Sequence, residues 1–138
     1  MPRYLLDTDV ASELARAAPS PRVLSFVADL DEVLLSSVGL FELARGIERL
    51  APGKKRRTLE RWLEQWIALP VTVVSLDARA ARIAASMETN ARRTGRAVDV
   101  RDVFVLATAR AHGLTVATRN VTHFAGHGVP VHDPFAGA

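Results

Sequence analysis

Arg3-Tyr4-Leu5-Leu6-Asp7-Thr8-Asp9 decides how the rest of the chain is read. Its apolar half, ending abruptly at Asp7, reads as a short buried strand. Asp7-Thr8-Asp9 then opens a helical stretch that runs through Leu14. A strand that turns straight into a helix is the first step of an alternating α/β chain. In such sheets ligands sit beyond the carboxyl ends of the strands, and Asp7 is placed there. Asp is also a good turn and cap residue, so the position has a structural as well as a chemical reading.

The alternation continues outward from this stretch. Pro19-Ser20-Pro21 punctuates the chain, and Pro21 suits the first turn of a new helix, to which Val23, Leu24, Val27 and Leu30 give an apolar stripe. Val33-Leu34-Leu35-Ser36 is a second strand, with Ser36 or Ser37 capping a helix that reaches Leu50. Pro52-Gly53 breaks it. Leu59, Trp62, Leu63 and Trp66, at i, i+3, i+4 and i+7, mark an amphipathic helix ending before Pro70. Val71-Thr72-Val73-Val74 is β-branched and strand-like. Ala80, Ile83, Ala84 and Met87 restore the helical spacing until Gly95. The next helix, from about Val100 to His112, is nearly all apolar and is expected to be central and covered. Gly113 ends it, Leu114-Thr115-Val116-Ala117 is a strand, and Val129-Pro130-Val131 is a last short one. Strands alternating with helices predict a three-layer α/β/α fold on a central, mainly parallel sheet. No repeat, low-complexity tract or linker divides the chain, so residues 1–138 are expected to form a single domain.

Composition narrows the class. With 49% apolar and 24% charged residues over 138 positions, the chain is globular and long enough to bury a core. The absence of cysteine excludes disulfides and thiolate metal sites. The start lacks the long apolar segment of a signal peptide, and nowhere do about eighteen apolar residues run together, so a cytoplasmic protein without a membrane span is expected. The net charge is +3, and of eighteen basic residues only Lys54 and Lys55 are lysines. Arginine presents a planar fork to phosphate, which favours nucleic-acid partners.

Further acids stand where a parallel sheet can gather them. Glu42 lies in the second turn of the helix after the second strand, beside an apolar face of Leu40, Leu43, Ala44, Ile47 and Leu50. With Arg45 at i+3 it also reads as an ordinary surface ion pair, worth little. Asp99 fits an N-cap and Asp102 the third helical position of a capping-box-like pair, both favoured by the helix dipole. Asp102, however, opens an otherwise apolar helix, where a purely exposed structural role fits less well. Brought together, Asp7, Glu42 and Asp102 would repel each other and raise at least one pKa unless a cation lay among them. Oxygen ligands without cysteine suit Mg²⁺ or Mn²⁺. Such an ion can orient a phosphodiester, activate a water and stabilise an in-line displacement. The chemistry expected is hydrolytic.

These residues, taken in order, resemble the PIN-domain nucleases and among them the VapC-type toxins. Tyr4-Leu5-Leu6-Asp7-Thr8-Asp9-Val10 is similar to the opening motif, and Ser36-Ser37-Val38-Gly39-Leu40-Phe41-Glu42-Leu43-Ala44-Arg45-Gly46 to the second. Asp102-Val103-Phe104-Val105-Leu106-Ala107 resembles the third, Thr118-Arg119-Asn120-Val121-Thr122-His123-Phe124 the closing motif, and Val131-His132-Asp133-Pro134-Phe135 the tail. The resemblance implies a Mg²⁺- or Mn²⁺-dependent endoribonuclease with Asp7, Glu42 and Asp102 as its acidic triad. Asn120 stands where many members have a fourth acid; it brings no charge but can orient a ligand water. Asp9 would hold the first loop, and Asp99 is either a helper ligand or only a cap. The resemblance further implies a homodimer, an RNA substrate, and a VapB-type antitoxin whose tail covers the site in a hetero-oligomer.

Other features keep a plainer reading beside the functional one. Lys54-Lys55-Arg56-Arg57 with Arg61 is a solvated face or an RNA-attracting one. Arg92, Arg93, Arg96 and Arg101 form a second basic stretch; Arg96 and Arg101, with Arg119, are the candidates for phosphate contact. Trp62 and Trp66 read as core, or as the wall of a dimer or antitoxin groove. His123 falls near the presumed site without being read as a ligand, and His112, His127 and His132 read as loop or helix-end residues. Two rival functions remain open. Leu6-Asp7-Thr8-Asp9-Val10 also fits a haloacid-dehalogenase-like phosphatase with Asp7 as nucleophile, though its lysines are misplaced and Glu42 goes unexplained. The other is a PIN-like domain that binds RNA or protein without cutting.

Overall fold

Tyr4–Leu6 forms β1, the central strand of a five-stranded, all-parallel sheet of order β3-β2-β1-β4-β5. The computed structural model describes residues 1–136; Gly137 and Ala138, the end of the expected 1–138 domain, lie outside the described residues. The other strands are β2 (Val33–Ser36), β3 (Val71–Val74), β4 (Thr115–Ala117) and β5 (Val131–His132). Between them run α1 (Thr8–Leu14), α2 (Pro21–Ala28), α3 (Ser37–Glu48), α4 (Lys54–Ala68), α5 (Ala78–Arg93), α6 (Val100–His112) and α7 (Val121–Phe124).

Strand side chains alternate between the two faces of the sheet, and this divides the core in two. Leu5, Leu34 and Val116 face one way and pack with Ala84 and Met87 of α5, Val103, Leu106 and Ala107 of α6, and Phe124 of α7. Their neighbours Leu6, Leu35 and Ala117 face the other way, onto Val10 and Ala11 of α1, Val23 of α2, Leu43 of α3 and Trp66 of α4. The result is the expected α/β/α sandwich. As the apolar sequence of α6 predicts, Val103, Val105, Leu106, Ala107, Thr108 and Ala109 are all buried.

Side-chain caps fix where the helices begin. Asp7 Oδ1 accepts from Thr8 N (2.8 Å), Ser36 Oγ from Gly39 N (2.8 Å), Asp77 Oδ1 from Ala80 N (2.9 Å) and Asp99 Oδ1 from Arg101 N (2.8 Å). Of the two serines at the start of α3, Ser36 is the cap, while Ser37 Oγ, in the first helical residue, accepts from Leu76 N (3.1 Å).

Three local expectations are corrected. Leu24 is not part of an inward stripe: it is 45% exposed, and Phe26 turns inward instead, edge-on to Tyr4 and stacked on His132. The fourth strand starts at Thr115, because Leu114 N donates to Ala109 O (2.8 Å) and finishes the helix instead. The last strand is Val131–His132 rather than 129–131. Pro130 has no N–H to give the ladder, so only its carbonyl takes part, accepting from Val116 N (2.9 Å), while Val129 packs in the core. His132, read as a loop residue, is therefore in a strand.

The chain order positions the site. From β1 the sheet grows outward through β2 to β3, then returns to add β4 on the opposite side of β1. The crevice at the carboxyl ends of β1 and β4 is the topological switch point, where sheets of this kind bind ligands.

Candidate active site

Asp7 leaves β1 at that switch point, and its N–H, donating to Ala117 O (2.9 Å), ties the end of β1 to β4. Thr118, the next residue of the β4 side, is fully buried and donates its hydroxyl to Asp7 Oδ2 (2.9 Å). The same hydroxyl lies 3.3 Å from Asp9 Oδ2 and accepts from Asn120 N (3.0 Å). Asp9 Oδ2 also accepts from Arg119 N (2.9 Å), whereas its Oδ1 is buried with no partner among the described residues. One threonine thus holds two carboxylates and the start of the Asn120 loop.

Glu42 arrives from α3, whose Leu43 and Ile47 are buried and whose next side therefore turns Glu42 toward α1. Its Oε1 accepts from Thr8 Oγ1 (3.2 Å), and its Oε2 stands 3.9 Å from Arg101 Nη1. Asp102 comes from the first turn of α6 and places Oδ2 at 2.7 Å from His123 Nε2. Asp7, Asp9, Glu42, Asp102 and Asn120 line one open cavity of about 600 Å³, together with Thr8, Ser12, Thr122, His123 and Phe124. Residues more than a hundred positions apart meet there.

Burial, with a smaller contribution from neighbouring acids, acts on the two carboxyls at the centre of the cavity. The Asp7 carboxyl is pushed up to about 7, mainly by burial, then by the negative charge of Asp9 and, more weakly, of Asp102. Hydrogen bonds from Thr118 and Thr8 oppose the rise without cancelling it. Asp9 is also raised, again mainly by burial. The donor set fits a hard divalent cation: several carboxylate oxygens and an amide, no thiolate, and one carboxylate oxygen left unpaired. Among the described residues no three acidic or histidine side chains are drawn close enough to grip an ion as they stand. Glu42 is held by Thr8, and Asp102 is turned to His123.

The outlying candidates separate by position. Asp99 does not line the cavity; it caps α6 and holds Arg101 through Nε (3.1 Å) and Nη2 (3.0 Å), which keeps its carboxyl below the usual range. Arg101 thereby stands between Asp99 and Glu42 at the rim. Arg119 places its guanidinium 3.7 Å over the Phe135 ring. Arg96 faces a different cavity and donates to Ala125 O (2.9 Å) and Gly126 O (3.1 Å). Arg92 is 84% exposed beside Glu88. Sequence reading passed over Thr118, Thr8 and Ser12, although Thr118 opens a quoted motif and its hydroxyl in an apolar strand end was the available signal.

A third surface adjoins the acids. A groove of about 870 Å³ between α1, α3 and α4 has Leu43, Ile47, Leu50, Leu59 and Trp62 as its floor and Arg16, Lys54 and Lys55 at its rim. Thr8, Ser12 and Glu42 line both it and the acid cavity. Trp66 is core, while Trp62, stacked on it at 5.3 Å, walls the groove.

A doubly wound parallel sheet with a carboxylate-lined cavity at its switch point is the architecture of a PIN domain. The family model of that domain matches residues 4–125. Over 136 residues the chain is 37% identical to the toxin FitB of Neisseria gonorrhoeae, covering 95% of this chain and 97% of that protein. It is 35% identical over 135 residues to the VapC ribonuclease Y4jK of Sinorhizobium fredii, covering 95% and 96%. It superposes on a chain in the crystal structure of FitAcB from Neisseria gonorrhoeae with a TM-score of 0.82 at 36% identity, over 96% of this chain and 98% of that one. The chain belongs to the PIN-domain family, as one of its VapC-type toxins. No helix among the described residues is long and apolar enough to cross a membrane.

Proposed function

We propose that this protein is a metal-dependent endoribonuclease, working as a single domain over residues 1–138 and acting as the toxin of a toxin–antitoxin pair. The observation that carries the reading is the convergence of Asp7, Asp9, Glu42 and Asp102 in one cavity, with Asp7 raised to about 7. Asp7, Glu42 and Asp102 are the catalytic acids; Asp7 and Asp102 are the principal ligands of a Mg²⁺ or Mn²⁺ ion. When bound, that ion supplies a lowered water pKa and charge stabilisation at the phosphodiester. Thr118 orients Asp7, Asp9 steadies the β4-side loop through Arg119 N–H, and Asn120 contributes a neutral amide at the cavity edge. Arg101, beside Glu42, and Arg119, whose backbone N–H is held by Asp9, are the phosphate contacts in this reading.

The groove beside the acids supports the partner reading. An apolar floor with a basic rim suits an amphipathic antitoxin segment carrying acidic residues, and its continuity with the acid cavity lets a basic tail residue enter among the carboxylates. A VapB-type antitoxin and a homodimer of this chain complete the proposed assembly. The rival phosphatase reading gives Glu42 no role and finds no lysine in the cavity lining.

The test is direct. With Mg²⁺, the purified chain is expected to cleave single-stranded RNA, chelation to stop it, and Asp7→Asn to slow it by at least about a hundredfold. Equal rates for the two proteins would sink the nuclease reading, and binding that persists without cleavage would favour a non-cutting domain.

A further inference from the structure

Behind α7 lies a second polar cavity, of about 670 Å³, between α5, the end of α6 and the loop after α7. Its charged lining residues are Arg82, Arg96 and Arg110, and no carboxylate lines it among the described residues. Arg82 and Arg110 are exposed and form no ion pair among the described residues. Arg96 is anchored by two backbone carbonyls and so keeps its fork in one place with donors to spare. His127 lines the same cavity with Nε2 buried and unpaired among the described residues. Burial and the neighbouring charges of Arg96 and His123 hold its pKa below the usual range. Three guanidinium forks around a polar hollow with no carboxylate among its described lining residues suit a phosphate, which takes charge-assisted hydrogen bonds from them.

Position ties the hollow to the acids. Thr122, His123 and Phe124 of α7 line the acid cavity, and Gly126, His127 and Gly128, just after them, line the basic one. We propose that this basin is a phosphate-binding subsite that holds the RNA strand beyond the bond to be cut, with Arg82, Arg96 and Arg110 on successive backbone phosphates. The inference rests on the nuclease reading above. The strand leaves the acids over α7 and is caught on its far side, so the basin selects a polynucleotide rather than a single nucleotide.

The experiment uses the full chain with a labelled single-stranded RNA of about twelve nucleotides, in chelator so that nothing is cut, across a range of salt. Arg82→Gln/Arg110→Gln is expected to reduce the slope of log affinity against log salt by about 1.4, roughly a 10- to 30-fold loss at 0.1 M salt. Arg82→Lys/Arg110→Lys is expected to restore most of the slope. An unchanged slope, with wild-type RNA binding and Mg²⁺-dependent cleavage intact, overturns the subsite and leaves the nuclease reading standing. A double variant that loses affinity for adenosine monophosphate but keeps its RNA slope overturns the strand reading in favour of a free-nucleotide site. A wild-type chain that neither binds nor cuts RNA overturns both.

Discussion

The two polar cavities on either side of α7 are opposites in charge and in construction. The acid cavity is built from strand ends and the first two turns of the helices that follow, with Asp7 buried at 8% exposure and hydrogen-bonded on both oxygens. The basic cavity is built from α5, the loop that follows it, the end of α6 and the loop after α7, and of its three arginines only Arg96 is fixed by hydrogen bonds among the described residues. Burial makes the difference. Like charges in water repel weakly, but the same charges in a low-dielectric setting shift each other's protonation. Asp7 and Asp9 are therefore under a strain, mainly of burial, that a proton or a cation relieves, while Arg82 and Arg110 stay exposed to water. One cavity is poised for chemistry and the other for attraction.

The sharpest way to break this contrast is Asp7→Asn, which acts oppositely on activity and stability. Cleavage falls by at least about a hundredfold. The metal-free protein, by contrast, is expected to gain stability at pH 8. The folded Asp7 pKa, about 7, is above the ordinary 3.8, so the folded state binds its proton more tightly. Stability from this group is full at pH below about 4 and is lost as pH rises toward 7, by up to roughly 4 kcal/mol. Thermal melts of the metal-free wild type should decline over that window, and those of Asp7→Asn should decline much less, with Asp9 the raised carboxyl that remains. Mg²⁺ should raise the wild-type melting temperature more at pH 8 than at pH 5. Equal pH slopes for the two proteins would show that Asp7 is not strained.

Much of this was legible in the sequence because strand ends are legible. Apolar runs broken by Asp7 and Ser36 gave β1, β2 and the starts of α1 and α3, and the apolar character of α6 gave its place under the sheet. Asp7, Glu42 and Asp102 were expected together, and they line one cavity. What spacing alone left open was side-chain reach. Arg96 and Arg101 are five positions apart, yet the break between α5 and α6 turns one to the Ala125–Gly126 carbonyls and the other to Glu42. Nor does any local pattern say that Thr118 bonds to Asp7, since that contact spans 111 positions and exists only once β1 and β4 pair.

Thr118→Val tests how the acid cavity is held. The substitution keeps the shape, deletes the hydroxyl that stabilises both carboxylates, and leaves Asn120 N–H without its acceptor. A loss of about 1–3 kcal/mol is expected in denaturant melts. Because the lost hydrogen bond favoured ionised Asp7, the pH window over which stability declines should extend above 7. Thr118→Ser should restore it. A valine variant with an unmoved window would mean that the threonine fills space without tuning its neighbours.

The smallest effect, and the finest test of the basic side, compares Gly126→Ala with Gly128→Ala. Both glycines have positive φ, 84° and 74°, so each alanine incurs about 1–2 kcal/mol of backbone strain. They differ in what the new methyl meets. At Gly126 it would lie 2.8 Å from Arg96 Nη1, whereas at Gly128 the nearest atom is Arg110 Nη1 at an ordinary 3.7 Å. A guanidinium at the end of a flexible chain moves aside cheaply, so the two variants should melt within about 1 kcal/mol of each other. Moving Arg96 also takes it off the Ala125 and Gly126 carbonyls that aim it. Gly126→Ala should therefore weaken RNA binding severalfold while Gly128→Ala leaves it close to wild type, and the Asp7-dependent pH slope should be the same in both. If both variants bind RNA alike, the fixed orientation of Arg96 contributes nothing and the basin acts by charge alone.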